Sequence, residues 1–386
     1  MTALRLSVQK LRARLLRRLP VLTTAFIRVQ PTAERFLSAK TSTTMDGVMG
    51  ARDSGRFVTE NSKDVFVNDD GVEKLAKILY EKVKCGDFNV TMWRKHELNP
   101  QGMDEDAVNW VFVSAVLNFS FWSQKPTDRF AVTYKDKQHT GYWSLCAAMN
   151  RALDEGIPFT TASYYATVDL DTMKKIFRSD NEFEIPMLEE RVRVLNEAGK
   201  VLLEKYNGSF ANVIKEAGKS AQALLRIVVN NFPSFQDVAE FSGKKVGIYK
   251  RVQILIGDVW GCCEGKGLGE FDDIDTITMF ADYRIPQALV FYGVLKYSDS
   301  LMEKLKQVPL LKSGERIEVE IRGVSLWACE LVRDKILELL KADREKDVSS
   351  YDVNAILVDH YLWDVRRELA DQMMDIPFHR CRGIFY

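Results

Sequence analysis

One short run of the sequence predicts a helix entrance with a carboxylate beside it: Met279-Phe280-Ala281-Asp282-Tyr283-Arg284-Ile285-Pro286-Gln287. Pro286 has no backbone N–H, and its ring clashes with a preceding helical turn. A helix that continues through residues 288–292 must therefore begin within about four residues before this proline. That spacing makes Asp282 the candidate N-cap, whose side chain accepts the free N–H groups of the first turn. From spacing alone an ordinary capping role is the simpler interpretation, and a reactive role stays open.

A glycine-rich turn precedes this entrance. Residues 264–269 read Glu-Gly-Lys-Gly-Leu-Gly, which can end one helix in a left-handed conformation and start a tight connection to the next. The turn lacks the spacing and the hydroxyl residue of a phosphate-binding P-loop. No buried strand leads into it, as a dinucleotide-binding motif would require. We therefore interpret the turn as a connection between helices.

Length and charge favour a globular protein that acts on a small ligand. The chain has 386 residues, 46% hydrophobic and 28% charged, enough for a large core in one domain or two packed lobes. Its 54 basic and 54 acidic residues balance, so the broad basic surface that long nucleic acids require is not indicated. No run approaches the roughly twenty apolar residues of a membrane span. We expect a monomer with a small-molecule substrate, without stable nucleic-acid or membrane binding.

Cysteine and histidine spacing argues against metal and thiol chemistry. The six cysteines are scattered without a C-x-x-C pair, which is typical of reduced thiols in an intracellular protein. The four histidines show no H-x-x-x-H spacing, and neither a G-x-S-x-G elbow nor a paired Cys/His signature occurs. The sequence therefore predicts neither a metal nor a cofactor. A carboxylate enzyme or a binding protein remains.

The first 44 residues differ in composition from the rest. They carry nine basic residues against one acid, Glu34, with Leu, Ser and Thr between them. Such an arginine-rich, acid-poor segment is typical of a mitochondrial transit peptide. A disordered extension is an equally weighted alternative, because translation could itself start at Met45. We exclude residues 1–44 from the fold and expect a cytoplasmic protein, with mitochondrial targeting left open.

Hydrophobic periodicity predicts a mainly α protein. Apolar residues recur every three to four positions over residues 71–79, 189–203 and 220–229, as on one face of a helix. Strand patterns are few. A hairpin is expected over residues 131–143, and residues 317–321, Ile-Glu-Val-Glu-Ile, alternate strictly as a strand would. We expect a helical bundle with a few short strands.

Six motifs rich in Trp, Tyr and Asn stand out in the chain. They are Asn-Phe-Ser-Phe-Trp-Ser (118–123), Gly-Tyr-Trp-Ser-Leu-Cys-Ala-Ala (141–148), Asn-Arg-Ala-Leu-Asp-Glu-Gly-Ile-Pro (150–158), Ala-Ser-Tyr-Tyr-Ala-Thr (162–167), the run 280–286, and Ile-Pro-Phe-His-Arg (376–380). Together they closely resemble the queuosine salvage protein family, from about Met45 to Tyr386. The resemblance implies an N-glycosidase that hydrolyses queuosine 5′-monophosphate and frees queuine base for reinsertion into transfer RNA. It also implies one glycosidase domain over residues 45–386, mainly helical and similar to helix-hairpin-helix DNA glycosylases, with an active site between lobes if two are present.

The same resemblance implies a catalytic role for Asp282. In helix-hairpin-helix glycosylases a helix, a glycine turn and a second helix precede an aspartate at the head of another helix. Here residues 250–263, 265–269 and 273–280 would supply those parts. Breaking the C1′–N bond builds oxocarbenium character on the ribose. An ionised Asp282 can stabilise that charge, attack the anomeric carbon or deprotonate water, and the sequence does not choose among these roles.

Help for the departing base must come from another group. Queuine is a 7-deazaguanine, so its ring lacks the N7 that purine glycosidases protonate. A hydrogen-bond donor near N3 or O6 would serve instead. Asp258 is a conceivable second carboxylate, and a buried structural acceptor is an equal alternative because it lies mid-helix within residues 255–260.

The substituent on the base calls for further partners. Queuine carries a secondary ammonium and a cyclopentene diol, and residues 357–364 look like the family pattern at this place. On a helix His360 and Asp364 share one face and Asp359 lies on the neighbouring one. We expect Asp359 and Asp364 to bind the ammonium and the diol, with His360 beside them. A solvated helix face is the plainer alternative.

Flat base surfaces favour aromatic neighbours. Phe280 and Tyr283 flank Asp282 and are the first candidates for stacking, whereas Phe121 and Trp122 are second candidates more typical of the core. His96 is expected to reach the base, although a lone histidine is more often a structural residue.

The 5′-phosphate requires cationic donors. Arg284 could offer a fork of N–H groups to it. The basic pairs at residues 250–251 and 244–245 could supply further charge. The sequence does not rank these groups.

Two other functions stay open at this stage. A DNA or RNA base glycosylase of the same fold would need a net-basic groove, which this neutral chain does not indicate. Steep salt dependence of its retention on heparin would favour that function. A non-catalytic queuine-binding protein would bind free queuine tightly without turning over the nucleotide.

Overall fold

Segments with helical periodicity form most of the chain, and they fold as α-helices in the computed structural model, which describes residues 47–125, 127–343 and 351–386. The helices are α1 Ala51–Asn61, α2 Asp69–Lys84, α3 Glu105–Val116, α4 Tyr142–Asp154, α5 Ala162–Tyr165, α6 Leu170–Ile176, α7 Leu188–Lys205, α8 Phe210–Glu216, α9 Ala221–Asn231, α10 Lys250–Cys262, α11 Ile285–Phe291, α12 Asp299–Lys306, α13 Arg316–Ala342 and α14 Ala355–Glu368. The described residues belong to one compact unit. A division into two lobes stays a prediction.

The strands are short and form small separate sheets. They are β1 Val48–Met49, β2 Val65–Val67, β3 Ala131–Tyr134, β4 Lys137–Thr140, β5 Val238–Phe241, β6 Lys244–Gly247, β7 Leu295–Tyr297, β8 Leu310–Leu311 and β9 Arg380–Cys381. β1, β6 and β5 form a three-stranded sheet, in which β1 runs parallel to β6. β2 pairs with β7, β3 with β4 and β8 with β9. The expected mainly α fold with a few short strands is confirmed.

Most of the predicted elements are present. The periodic segments 71–79, 189–203 and 220–229 lie in α2, α7 and α9, and the Ser220 hydroxyl accepts the N–H of Ala223 at the start of α9. The hairpin is confirmed as β3 and β4, joined by Lys135 and Asp136 at φ of 49° and 62°. Its second strand is shorter than expected, because the chain enters α4 at Tyr142.

The strand expected at residues 317–321 is wrong, because this segment lies in α13. Its two glutamates are buried, and each pairs with an arginine one helical turn away. Glu318 accepts from Arg322, and Glu320 pairs with Arg316. The alternation therefore records buried ion pairs on a helix and not the two faces of a strand.

The second helix expected at residues 273–280 is also wrong. Only Ile274–Thr276 forms a 3₁₀ turn there. Beyond it, buried side chains take the backbone N–H groups that a helix would have used. The Gln253 amide oxygen accepts from Thr278 N at 2.9 Å, and Asp359 Oδ2 accepts from Phe280 N at 2.9 Å. The chain therefore reaches Asp282 in a non-helical conformation.

Helix α13 is central to the core, and two glycines bring it close to α1. A Cβ at Gly323 would lie 2.6 Å from Cγ1 of Val58, and one at Gly55 would lie 2.9 Å from Cβ of Leu326. Among the described residues no helix is long and apolar enough to cross a membrane. Residues 1–44, expected to be a transit peptide or an extension, lie outside the described residues.

Replacing Gly323 by alanine should destabilise the fold. The added methyl group meets the β-branched Val58, so overpacking of about 1–3 kcal/mol should exceed the gain of about 1 kcal/mol in helix propensity. Urea denaturation followed by circular dichroism measures the change. Gly383→Ala is the control, because a Cβ there meets nothing within 4 Å. An unchanged free energy of unfolding in Gly323→Ala would contradict this close packing.

Candidate active site

A cavity of about 640 Å³ lies where α4, α10 and α14 meet the stretch around residue 282. Its wall contains eight of the side chains that the sequence and the family resemblance suggested as site residues: His96, Phe280, Asp282, Tyr283, Arg284, Asp359, His360 and Asp364. These residues come from three distant parts of the sequence. Their individual roles stay predictions.

Asp282 lies just before α11. The helix begins at Ile285, as the position of Pro286 predicts, and the residue at the N-cap position is Arg284. Asp282 therefore stands two residues before the N-cap position that was expected for it. Its carboxylate still does the work of a cap, because Oδ1 accepts the N–H groups of Arg284 at 2.7 Å and Ile285 at 2.8 Å. Among the described residues no hydrogen bond reaches Oδ2, which leaves that oxygen for a ligand.

The backbone just before Asp282 is fixed by two buried side chains. Asp359 on α14 accepts the N–H of Phe280 at 2.9 Å, and Nε of Arg322 on α13 donates to the carbonyl of Ala281 at 3.0 Å. Burial and the nearby Asp282 carboxylate raise the pKa of Asp359 well above its usual range. Asp359 therefore supports the stretch before Asp282 in addition to lining the cavity.

One face of α10 points into the cavity through Lys250, Ile254 and Asp258, spaced one helical turn apart. The Lys250 ammonium is buried and donates to the Asn118 carbonyl at 3.2 Å. Burial lowers its pKa to about 8, although the nearby Asp282 carboxylate opposes this effect. Lys250 therefore loses its proton more readily than an exposed lysine does.

Asp258, at the other end of this face, is a second titrating group. Burial raises its pKa to about 7, against a hydrogen bond from the Trp93 indole N–H to Oδ1 at 2.7 Å. Its place in the cavity wall keeps open both interpretations from the sequence, a second reactive carboxylate and a structural acceptor.

Aromatic rings cover another part of the wall. His96 stacks on Trp143 with ring centres 3.3 Å apart, and Trp143 meets Trp363 edge to face at 5.6 Å. Tyr142 lies between Trp143 at 5.1 Å and Phe121 at 6.3 Å. Burial lowers the pKa of His96 to about 4, so its ring is neutral at pH 7. Sequence reasoning did not select Tyr142, Trp143 or Trp363, although all three lie within the motifs 141–148 and 357–364.

The side chains that α14 contributes to the cavity differ in their burial. His360 lies beside Phe280 with ring centres 5.9 Å apart, and burial lowers its pKa to about 4. Asp364 lies nearer the solvent, and its partial burial raises its pKa to about 6. A neutral histidine and an ionisable carboxylate are therefore both available to a polar ligand near α14.

Five arginines line the same cavity, and one of them, Arg367, lies 4.9 Å from the centre of the Trp363 ring. The other four are Arg129, Arg284, Arg366 and Arg380. Arg284 and Arg366 both donate to the Gln287 amide oxygen, at 3.1 and 2.6 Å. Arg284 and Arg380 each lie 4.1 Å from the centre of the Phe378 ring. Within the described ranges none of the four forms an ion pair with a carboxylate, so their charges are free to bind an anion.

The structure separates the basic groups that the sequence did not rank. Arg284 and Lys250 line the cavity. Arg251 is buried elsewhere and donates to the carbonyls of Val116 and Ser234. Lys244 and Lys245 are exposed on β6, outside the cavity wall. No group of His, Cys, Asp and Glu in the described part of the chain is arranged to hold a metal ion.

Comparison with known proteins gives consistent results. Residues 98–386 match the family model described as queuosine salvage protein. A Bos taurus protein named queuosine 5′-phosphate N-glycosylase/hydrolase is 53% identical over 89% of this chain and 100% of its own length. Proteins of the same name from Mus musculus and Schizosaccharomyces pombe are 51% and 39% identical, over 88% and 86% of this chain and 99% and 97% of their own lengths. The family resemblance of the sequence motifs is confirmed.

A buried histidine behind the cavity gives the protein a measurable sensitivity to acid. His379 is 1% exposed, and its Nε2 lies 3.2 Å from the hydroxyl of Tyr386, which lines the cavity. Burial, with a smaller contribution from Arg322, lowers the pKa of His379 to about 3. The unfolded chain binds a proton at this residue near pH 6.5, and the folded protein does not. The stability that the neutral ring contributes is therefore present above pH 6.5 and is lost as pH falls towards 3.

The variant His379→Gln should isolate this effect. Between pH 7 and pH 5 the wild-type protein should lose about 2 kcal/mol of unfolding free energy relative to the variant. Urea denaturation of both proteins at the two pH values measures the difference, and other titrating groups cancel between them. A difference that does not change with pH would contradict the neutral state of His379.

Proposed function

Because the chain belongs to the queuosine salvage protein family, we propose that its cavity hydrolyses the N-glycosidic bond of queuosine 5′-phosphate and releases queuine. The observation that carries the proposal is the Asp282 carboxylate, which is held by two backbone N–H groups and presented to the cavity. A glycosidase needs a fixed anion of this kind beside the anomeric carbon. The enzyme is accordingly a hydrolase that acts on N-glycosyl bonds.

Asp282 acts on the ribose. Its negative charge faces the start of α11, where the free N–H groups carry partial positive charge. As the C1′–N bond lengthens, positive charge develops on the sugar, and Oδ2 is the oxygen free to meet it. The carboxylate can stabilise that charge, form a bond to C1′ or deprotonate the attacking water. All three roles require the negative charge of Asp282.

Lys250 supplies a cation and a proton near the same reaction centre. Its pKa of about 8 means that it is mostly protonated at pH 7 and yet gives up its proton easily. The ammonium can donate to the departing base, which has no N7 to protonate. Asp258, with a pKa of about 7, is the alternative donor on the same face of α10.

The rest of the cavity suits the base and its substituent. Trp143, Trp363 and Tyr142 offer aromatic surfaces for a flat heterocycle, with Phe280 and Tyr283 nearer to Asp282. Asp364 and Asp359 are the acids placed to meet the secondary ammonium and the diol. His360, neutral beside them, can donate and accept hydrogen bonds.

The cluster of four arginines suits the 5′-phosphate. Arg284 lies two residues after Asp282, and its backbone N–H donates to the Asp282 carboxylate, so an anion bound by its side chain lies close to the ribose on which Asp282 acts. A phosphate dianion would complete the hydrogen bonds that these guanidinium groups do not make within the protein. The family assignment favours this hydrolase over a DNA or RNA glycosylase and over a non-catalytic carrier. Monomeric state, compartment and lack of nucleic-acid binding stay predictions.

Asp282→Asn should abolish most of the activity and leave the fold intact. Asparagine keeps an oxygen for the N–H groups of Arg284 and Ile285 but loses the negative charge. We expect kcat for queuine release to fall by at least about 100-fold. Mass spectrometry of the released base measures the rate, and circular dichroism checks the fold.

The matched control is Asp169→Asn. Asp169 also holds a helix N-terminus, since its carboxylate accepts Thr172 N at 2.8 Å, and it lies outside the cavity wall. This variant should keep wild-type activity. A folded Asp282→Asn protein that releases queuine at the wild-type rate would overturn the catalytic assignment.

Arg284→Met should weaken phosphate recognition selectively. Methionine retains an apolar side chain over Phe378 but removes the charge, so kcat/KM for queuosine 5′-phosphate should fall about 10- to 100-fold. Activity on queuosine, which has no phosphate, should stay within about threefold of wild type. Arg193→Met, on the exposed face of α7, serves as the control. Equal losses on both substrates would show that Arg284 does not bind the phosphate.

A further inference from the structure

A buried ion pair lies behind the cavity and contacts the backbone on both sides of the reaction centre. Arg322 on α13 is 2% exposed. Its Nη1 and Nη2 donate to the two carboxylate oxygens of Asp237 at 3.0 and 2.5 Å, and Nη1 also reaches Glu318 at 3.1 Å. Its Nε donates to the carbonyl of Ala281 at 3.0 Å. All nitrogens of the guanidinium group are thus engaged.

Asp237 connects Arg322 to the backbone of Lys250, the second residue with a proposed role in the reaction. Its Oδ2, which already accepts from Arg322, also accepts the backbone N–H of Lys250 at 3.0 Å. Its own carbonyl accepts the N–H of Ile248 at 3.0 Å and that of Tyr249 at 3.3 Å. Tyr249 holds a left-handed conformation at φ of 54°, which is uncommon for a tyrosine. Asp237 therefore fixes the tight turn through which the chain enters α10.

We propose that Arg322 and Asp237 form a positioning clamp that sets the separation and orientation of Asp282 and Lys250. The clamp runs from the Ala281 carbonyl through the guanidinium and the carboxylate to the Lys250 N–H. This inference rests on the proposed function, in which those two side chains act on one substrate. Neither Arg322 nor Asp237 lines the cavity, so neither contacts the substrate.

The local backbone explains why a clamp is needed. Residues 278–281 lie in no helix or strand, so their position depends on side chains from elsewhere in the chain. Lys250 begins a helix, and Asp282 precedes a different one. A bidentate arginine–carboxylate pair holds two groups in one plane more rigidly than a single hydrogen bond does. A shift of about 1 Å between reacting groups can reduce a rate about 100-fold.

Two variants test the clamp. Arg322→Lys keeps the positive charge but cannot bridge Asp237 and Ala281 together. Asp237→Asn keeps the side-chain volume and an oxygen for the Lys250 N–H, but loses the bidentate ion pair. We expect each variant to lower kcat about 10- to 100-fold, with KM and the affinity for free queuine within about threefold of wild type. If Arg322→Lys does not fold, Asp237→Asn carries the test.

The control is Glu330→Gln, which breaks a comparably buried ion-pair cluster on the same helix. Glu330 is 1% exposed, pairs with Arg52 at 2.8 Å and with Arg333 at 2.9 Å, and lies outside the cavity wall. This variant should lose stability and keep the wild-type kcat. A folded Arg322→Lys or Asp237→Asn protein with wild-type kcat would overturn the clamp, as would a loss in Glu330→Gln of the same size.

A crystal structure of Asp237→Asn separates this proposal from the proposed function. If the wild-type protein releases no base from queuosine 5′-phosphate, the function is wrong, but the clamp still predicts that the Ala281 carbonyl and the Lys250 N–H move apart in the variant. Unchanged positions of both groups would contradict the clamp whatever the activity of the enzyme.

Discussion

The structure around the cavity depends on one constraint. A carboxylate must be held in a largely buried place with hydrogen-bond donors to only one of its two oxygens. Asp282 meets it because the first N–H groups of α11 saturate Oδ1 and leave Oδ2 to the cavity. Pro286 fixes where that helix begins, and thereby which N–H groups are free. Asp359 and Arg322 hold the preceding backbone, which has no secondary structure of its own. These four features, which are the first N–H groups of α11, Pro286, Asp359 and Arg322, therefore determine both the local backbone conformation and the position of the Asp282 carboxylate.

The sequence predicted features that depend on neighbouring residues. Proline chemistry located the start of α11, periodicity located α2, α7 and α9, and the polar turn at Lys135 and Asp136 located the hairpin. The two failures share a cause, because buried polar side chains from distant segments decided the conformation. Gln253 and Asp359 accept N–H groups that a helix over residues 273–280 would have used. Arginines one turn away neutralise the glutamates of residues 317–321, which turns an alternating pattern into a buried helix.

In the candidate site, too, some residues could be predicted from the sequence and others depend on contacts between distant segments. Eight residues selected through the family resemblance, from His96 to Asp364, line one cavity, which spacing alone could not have predicted. Sequence reasoning did not find the arginines that join Arg284, the aromatic rings of Tyr142, Trp143 and Trp363, or the clamp. Arg322 and Asp237 are 85 residues apart, and nothing near either one indicates that they pair. Contacts of this kind become visible only when the packing of α10, α13 and α14 is known. Lys250 was weighed only as a charge for the phosphate, because its lowered pKa arises from burial, which a basic residue in a sequence does not reveal.

The proposed function requires that the cavity distinguish one nucleotide by its sugar bond, its phosphate and its base together. The fixed carboxylate suits the sugar bond. The cavity arginines, which have no carboxylate partners in the described part of the chain, suit the phosphate. The aromatic wall with its nearby acids suits the base. The most direct test is to incubate the wild-type protein with queuosine 5′-monophosphate, queuosine and guanosine 5′-monophosphate and to follow the released base by mass spectrometry. The account predicts fastest release of queuine from the 5′-monophosphate, slower release from queuosine and no guanine. Tight binding of queuosine 5′-monophosphate without any released base would contradict it, as would release of guanine at a comparable rate.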